Sequence, residues 1–158
     1  ASDVYKRQSL DDGDVWKNDK FEAKIYHVPG HTSGHVCYHF FNQNILFTGD
    51  TLFSLGCGRI FEGTYEEMFS SLQLIKSFPK ETKIYCGHEY TLKNSEFCIK
   101  YDENNSALRE KIRSVNTKLE KGLPTVPSTI KEELDCNIFL RSKDVGSFSK
   151  LRDLKDKF

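Results

Sequence analysis

Two imidazoles and a carboxylate in this sequence sit where they can do chemistry. In "HVPGHTSGHVCYH", residues 27–39, His27, His31, His35 and His39 recur every fourth residue and make up four of the chain's five histidines. That spacing lines side chains along one face of an α-helix. Pro29, Gly30 and Gly34 interrupt it, however, and are poor helix material. The stretch therefore reads as strand, tight loop, strand, with His31 in the loop. Asp50 closes the strand-like run "ILFTGD" (45–50), and His88 closes "KIYCGH" (83–88). A rigid strand feeding a loop can aim a ligand, and two histidines with an aspartate suit zinc, iron or manganese. Taken singly, each histidine reads first as a surface or hydrogen-bonded residue; it is the joint placement that raises the metal reading. His35 is expected to support the loop through hydrogen bonds, with His27 and His39 as ordinary strand residues.

The elements around these groups follow from periodicity. "KFEAKIYHV" (20–28) alternates Phe21, Ala23, Ile25 against Glu22, Lys24, Tyr26, the period of a half-buried strand. "HVCYHFF" (35–41), a turn at "NQN" and the run 45–50 predict a β-hairpin. Beyond the Gly-rich "SLGCGRIFEG", Thr64 and Glu67 fit a capping box, with Met68, Leu72 and Ile75 as the apolar face and Pro79 as the stop. From about residue 92 the pattern turns helical. Leu108, Ile112, Val115 and Leu119 precede the stop signals Gly122 and Pro124, and "PSTIKEEL" and "SFSKLRDLKDKF" predict two more helices. No strand pattern is visible there.

Composition narrows the classes. The chain has 158 residues, 37% hydrophobic and 29% charged, enough for one domain or one small domain plus an appendage. No apolar run approaches the ~18–20 residues of a membrane span, and no signal peptide is evident. Zero net charge gives no nucleic-acid footprint. Residues 1–92 carry 9 basic and 12 acidic groups and residues 93–158 carry 14 and 11, leaving the second part mildly positive. Five cysteines without a C-x-x-C pair argue for reduced thiols in a cytoplasmic setting. Cys57 and Cys86 flank the candidate loops without an evident activating base and read as structural.

The segments "PGHTSGH", "LFTGDTLF", "GCGRIFEGT" and "YCGHEYT", in that order, resemble the hydroxyacylglutathione hydrolases (glyoxalase II) of the metallo-β-lactamase superfamily. "PTVPST", "NIFLR" and "LRDLKDKF" resemble that family's helical C-terminal region. The resemblance implies an α/β fold: the C-terminal part of a metallo-β-lactamase αβ/βα sandwich over residues 9–92, then a small helical glutathione-binding domain over 93–158. It implies two divalent metal ions, zinc first and iron or manganese otherwise. His31 would bind one, His88 the other, and Asp50 both; the two oxygens of a carboxylate can span ions about 3.5–4 Å apart. The implied reaction is hydrolysis of S-D-lactoylglutathione to D-lactate and glutathione by a metal-bridging hydroxide, the second step of methylglyoxal detoxification. Arg59, Tyr90, Arg152 and Lys155 match substrate-contacting positions, and Phe61 stands where some relatives have tyrosine. Without the resemblance, Arg152 and Lys155 would read as a solvated helix face. The implied enzyme is a cytoplasmic monomer acting on a small molecule.

The family's remaining metal ligands lie in a T-H-x-H-x-D-H stretch that this sequence lacks. The chain therefore reads as an N-terminally truncated fragment, expected to be inactive, poorly stable and missing the first sheet, with apolar faces uncovered. Residues 1–8, "ASDVYKRQ", are expected to be a translated sequencing adapter, because Asp3–Gln8 back-translates to the end of a common one. Competing readings are a persulfide dioxygenase or another hydrolase of the same fold, disfavoured by "LRDLKDKF", and a non-catalytic binding module, disfavoured by the presence of His31, Asp50 and His88.

Overall fold

The computed structural model describes residues 9–158; the segment read as adapter lies outside them. In chain order the elements are β1 (Val15–Lys17), β2 (Glu22–His27), β3 (Val36–Phe40), β4 (Ile45–Gly49), β5 (Leu52–Phe53), β6 (Gly56–Cys57), α1 (Tyr65–Lys76), β7 (Lys83–Cys86), α2 (Thr91–Tyr101), α3 (Ser106–Glu120), β8 (Ser128–Thr129), α4 (Ile130–Cys136) and α5 (Val145–Asp156). Six strands form one sheet in the order β1-β2-β3-β4-β7-β8, and β5 and β6 form a separate small hairpin. The pairings are antiparallel except β4 with β7, which run parallel across the α1 connection. The expected hairpin is β3–β4. Its turn is a 3-10 turn over Phe41–Gln43 that ends on Asn44 in the left-handed region, φ 53°, a conformation asparagine tolerates.

α1 begins as its residues dictate. Thr64 accepts from the Glu67 N–H while the Glu67 carboxylate accepts from the Thr64 N–H, a complete capping box. Met68, Leu72 and Ile75 are buried on its inner face. A second box, Thr129 with Glu132, opens α4.

Cross-strand register sorts the sheet into two faces. Cys37, His39, Leu46 and Ile84 share the inner face, and all four are buried. One core runs from Leu46 and Ile84 through Met68 and Leu72 to Phe97, Leu108, Phe139 and Phe148. The sheet and the C-terminal helices thus close around the same apolar interior. β8 departs from the sequence reading, which saw no strand after residue 92: Lys83 pairs with Thr129 and Ile84 with Ser128. The expected boundary at 92/93 falls inside α2. On the outer face Tyr38, Phe47 and Tyr85 are in register. Aromatic contacts cross it from Trp16 to Phe40 (6.2 Å), Phe40 to Phe47 (5.6 Å) and Phe47 to Tyr85 (5.4 Å). Phe47 on this face is 42% exposed, whereas Ile25, in register with Tyr38, is buried. Among the described residues no helix is long and apolar enough to cross a membrane.

Candidate active site

His31 lies in the loop after β2, and two neighbours hold that loop down. Gly30 has φ +140°, and a Cβ there would lie 2.7 Å from Met68 Cα, so only glycine lets the loop sit on the first turns of α1. The Ser71 hydroxyl donates to Pro29 O at 2.7 Å. The loop is also zipped to residues 59–63. Phe61 N–H donates to His31 O (3.2 Å), Gly63 N–H to Gly30 O (3.2 Å), and Ser33 gives both N–H and O–H to the Glu62 carboxylate. His31 Nδ1 lies 2.9 Å from Arg59 O. A carbonyl can only accept, so Nδ1 carries the proton and Nε2 keeps its lone pair. That Nε2 lies 3.7 Å from Asp50 Oδ2, and His88 Nε2 lies 3.4 Å from Asp50 Oδ1. Each imidazole thus addresses its own oxygen of one carboxylate.

Asp50 is held from behind. Its N–H donates to His35 Nε2 at 3.0 Å, so the His35 ring braces Asp50, where the sequence reading expected it to support the His31 loop. Burial lowers the His35 pKa, against an opposing pull from the Asp50 charge, which suits an imidazole that accepts through Nε2. His27 lies in β2 and His39 in β3, and neither reaches the cavity.

The donor set fits metal ions. Asp50 Oδ1 is a buried oxygen with no hydrogen-bond partner among the described residues, and a Cβ at Gly87 would come within 2.7 Å of it. A bare carboxylate oxygen in such a place is an unmet acceptor that a cation can satisfy. Among the described residues no cluster of three or more His, Cys, Asp or Glu surrounds a single metal position, because His31 and His88 diverge to opposite oxygens.

These three groups line a cavity of about 550 Å³. Phe53, Phe61 and Tyr90 line its walls. Phe61, 68% exposed, lies 5.0 Å from the His31 ring, and Tyr90 stacks on His88 at 5.0 Å. Arg59, Lys93, Arg152, Lys155 and Asp156 line it as well. All the sequence-nominated substrate residues therefore border the cavity that holds the nominated metal ligands.

The cations differ in freedom. Arg152 is only 3% exposed, so it is not on the solvated face that helix periodicity alone suggests. Its Nη1 donates to Cys57 O (2.8 Å), while Nε and Nη2 converge on Asp156 Oδ1 (3.1 and 2.7 Å). Lys155 Nζ donates to Lys93 O (3.2 Å) and lies over the Phe97 and Phe158 rings. Burial foremost, with the Arg152 and Lys93 charges adding, lowers its pKa to about 8. Arg59 is 61% exposed and only loosely engaged. Sequence reading passed over Lys93, Phe53 and Asp156. The (i, i+4) spacing of Arg152 and Asp156 on one helix was the available signal for the last.

The β5–β6 hairpin that leads into Arg59 is pinned from the C-terminal helices. Leu55, at φ 61°, donates its N–H to Glu133 Oε2 (2.8 Å). Asn137 Nδ2 donates to Gly56 O (3.1 Å) and to Glu133 Oε2 (2.9 Å). Asn94 Nδ2 donates to Ser54 O at 3.1 Å. Helices from one part of the chain thus set the path of a loop in the other.

Comparison with known proteins places this arrangement. The family model for the metallo-beta-lactamase superfamily matches residues 8–88. The chain belongs to the metallo-beta-lactamase superfamily. Residues 89–158 match the model described as hydroxyacylglutathione hydrolase C-terminus. The chain is 63% identical over 147 residues to a hydroxyacylglutathione hydrolase of Pelagibacter ubique (strain HTCC1062), covering 93% of this chain and 62% of that protein. It is 42% identical over 164 residues to one of Methylococcus capsulatus (strain ATCC 33009 / NCIMB 11132 / Bath), covering 95% and 64%. It thus spans under two thirds of these superfamily members. ETHE1 from Myxococcus xanthus shares the fold, with a TM-score of 0.64 at 23% identity over 91% of this chain and 50% of that one. Superfamily membership and the donor set together imply divalent metal binding.

Proposed function

We propose that the protein to which this chain belongs hydrolyses a glutathione thioester, S-D-lactoylglutathione, to D-lactate and glutathione. The observation that carries this reading is that His31 and His88 address opposite oxygens of Asp50 in a cavity that Arg59, Lys93 and Lys155 also line. His31, Asp50 and His88 would contribute to holding two divalent ions, zinc first. Such ions supply Lewis acidity, activating water near neutral pH and polarising the thioester carbonyl.

The chain's own residues do the rest. Asp50 spans both positions, while Arg59 O keeps the His31 lone pair on Nε2 and the His35–Asp50 contact fixes the carboxylate's backbone. Arg59 and Lys155 attract substrate carboxylates, Arg59 with a planar fork that can engage both oxygens. Phe53, Phe61 and Tyr90 offer apolar and aromatic surface beside the reacting groups. Tyr90 offers a phenol to the substrate, and Phe61 offers none. A cytoplasmic monomer acting on a small molecule completes the reading; the zero net charge gives no footprint for nucleic acid.

The test is an assay of the whole protein, loaded with metal, for D-lactate and free thiol. His31→Ala, Asp50→Ala and His88→Ala are each expected to lose about 100-fold or more, beyond the 10–100-fold typical of an outer-shell partner. A whole protein that binds two metals yet leaves the thioester intact would refute the reading.

A further inference from the structure

Asp156 holds a position that no substrate role explains. Its Oδ1 receives the buried Arg152 through two short contacts and also faces Arg59 Nε at 3.5 Å. Two guanidinium groups therefore meet on one carboxylate oxygen in the cavity that Arg59, Lys93, Arg152 and Lys155 line. The two contacts are unequal. Arg152 is anchored on its other side by Cys57 O. The Arg59 contact joins side chains 61% and 37% exposed, and exposed pairs of that kind contribute little and break readily.

The geometry points to Asp156 as a competing internal carboxylate: in the empty site it partners Arg59, and an arriving ligand carboxylate takes its place on that side chain. Asp156 keeps its bonds to Arg152 throughout, so the exchange requires only that Arg59 swing. The inference rests on the glutathione-thioester reading and names the residue that tunes affinity within it. Substrate and released glutathione carry the same carboxylates, so whatever anchors one retains the other. An internal competitor for Arg59 weakens both and lets the product leave.

The test titrates the whole protein to which this chain belongs calorimetrically with glutathione and with its glycyl monoethyl ester, in which one carboxylate is masked. The native protein is expected to prefer the free acid. Asp156→Asn removes the competitor, so glutathione should bind about two- to fivefold tighter, in the range of a lost exposed ion pair, while the ester changes little. A residue that merely braces Arg152 would change both ligands alike. Equal change in the two, or weaker glutathione binding, overturns the proposal. Arg59→Gln, which leaves the Arg152–Asp156 pair intact, should abolish the preference for the free acid; a preference that survives also overturns it and decides the matter if Asp156→Asn does not fold. No binding of glutathione by the native protein sinks the glutathione reading itself, and this inference with it.

Discussion

The five thiols show how environment separates residues of one type. Burial pushes Cys37 and Cys98 up to about 12 and Cys136 up to about 11, and it raises Cys57 as well. Cys57 lines the cavity, yet its only charged hydrogen-bonding neighbour is Arg152, which is committed to Asp156. None of these thiols is a nucleophile at neutral pH, because the reactive form is the thiolate. Burial raises Cys86 as well, but it is the one of the five that is only half-buried. Brief alkylation of the native chain followed by peptide mass spectrometry should modify Cys86 first and leave the other four until denaturant is added; early labelling of Cys57 would contradict the structural assignment. At this scale the sequence was informative where a residue's neighbours are local. Proline and glycine around His31 signalled a loop, and the loop is there. Arg152 was not legible. Its burial depends on Cys57, 95 positions away, and an arginine on a polar helix face carries no sign of such a partner.

Among the elements, the contact between the β5–β6 hairpin and α4 is the one that most directly shapes the site. Glu133 is fully buried, and its carboxyl accepts from Leu55 and Asn137. Burial raises its pKa above the ordinary 4.5, against the opposing hydrogen bonds and the Lys111 charge. The folded state therefore holds this proton more tightly than the unfolded state does. Its contribution is fully present below the unfolded carboxyl pKa and is lost as pH climbs through the raised folded value. Glu133→Gln keeps an acceptor and removes the titration, so its stability relative to the native chain should improve as pH rises across that window. Glu133→Ala strands the Leu55 N–H and Asn137 and should cost about 2–3 kcal/mol. Urea unfolding at several pH values measures both, and a Gln variant that loses ground with rising pH would contradict the assignment. Local signals predicted the capped helices well: Thr64 with Glu67 and Thr129 with Glu132 close their own boxes. They failed for β5, β6 and β8, two residues each, which are too short to show alternation and exist through distant partners.

Across the whole molecule, one core unites sheet and helices, while the outer sheet face stays partly open. The aromatic line from Trp16 through Phe40 and Phe47 to Tyr85 runs across that face, with Phe47 exposed near its middle. Phe47→Ser should reduce binding of a hydrophobic dye and self-association of the chain. It should alter unfolding free energy by no more than about 0.5 kcal/mol, as expected for an exposed position. A large loss of stability would mean that the ring is already packed. Trp16 is the chain's single tryptophan, and it sits at one end of that aromatic line beside Phe40. The molecule therefore carries a built-in optical probe: its tryptophan emission comes from the outer face of the sheet, so whatever comes to lie against that face announces itself as a change in colour and brightness, with no label attached.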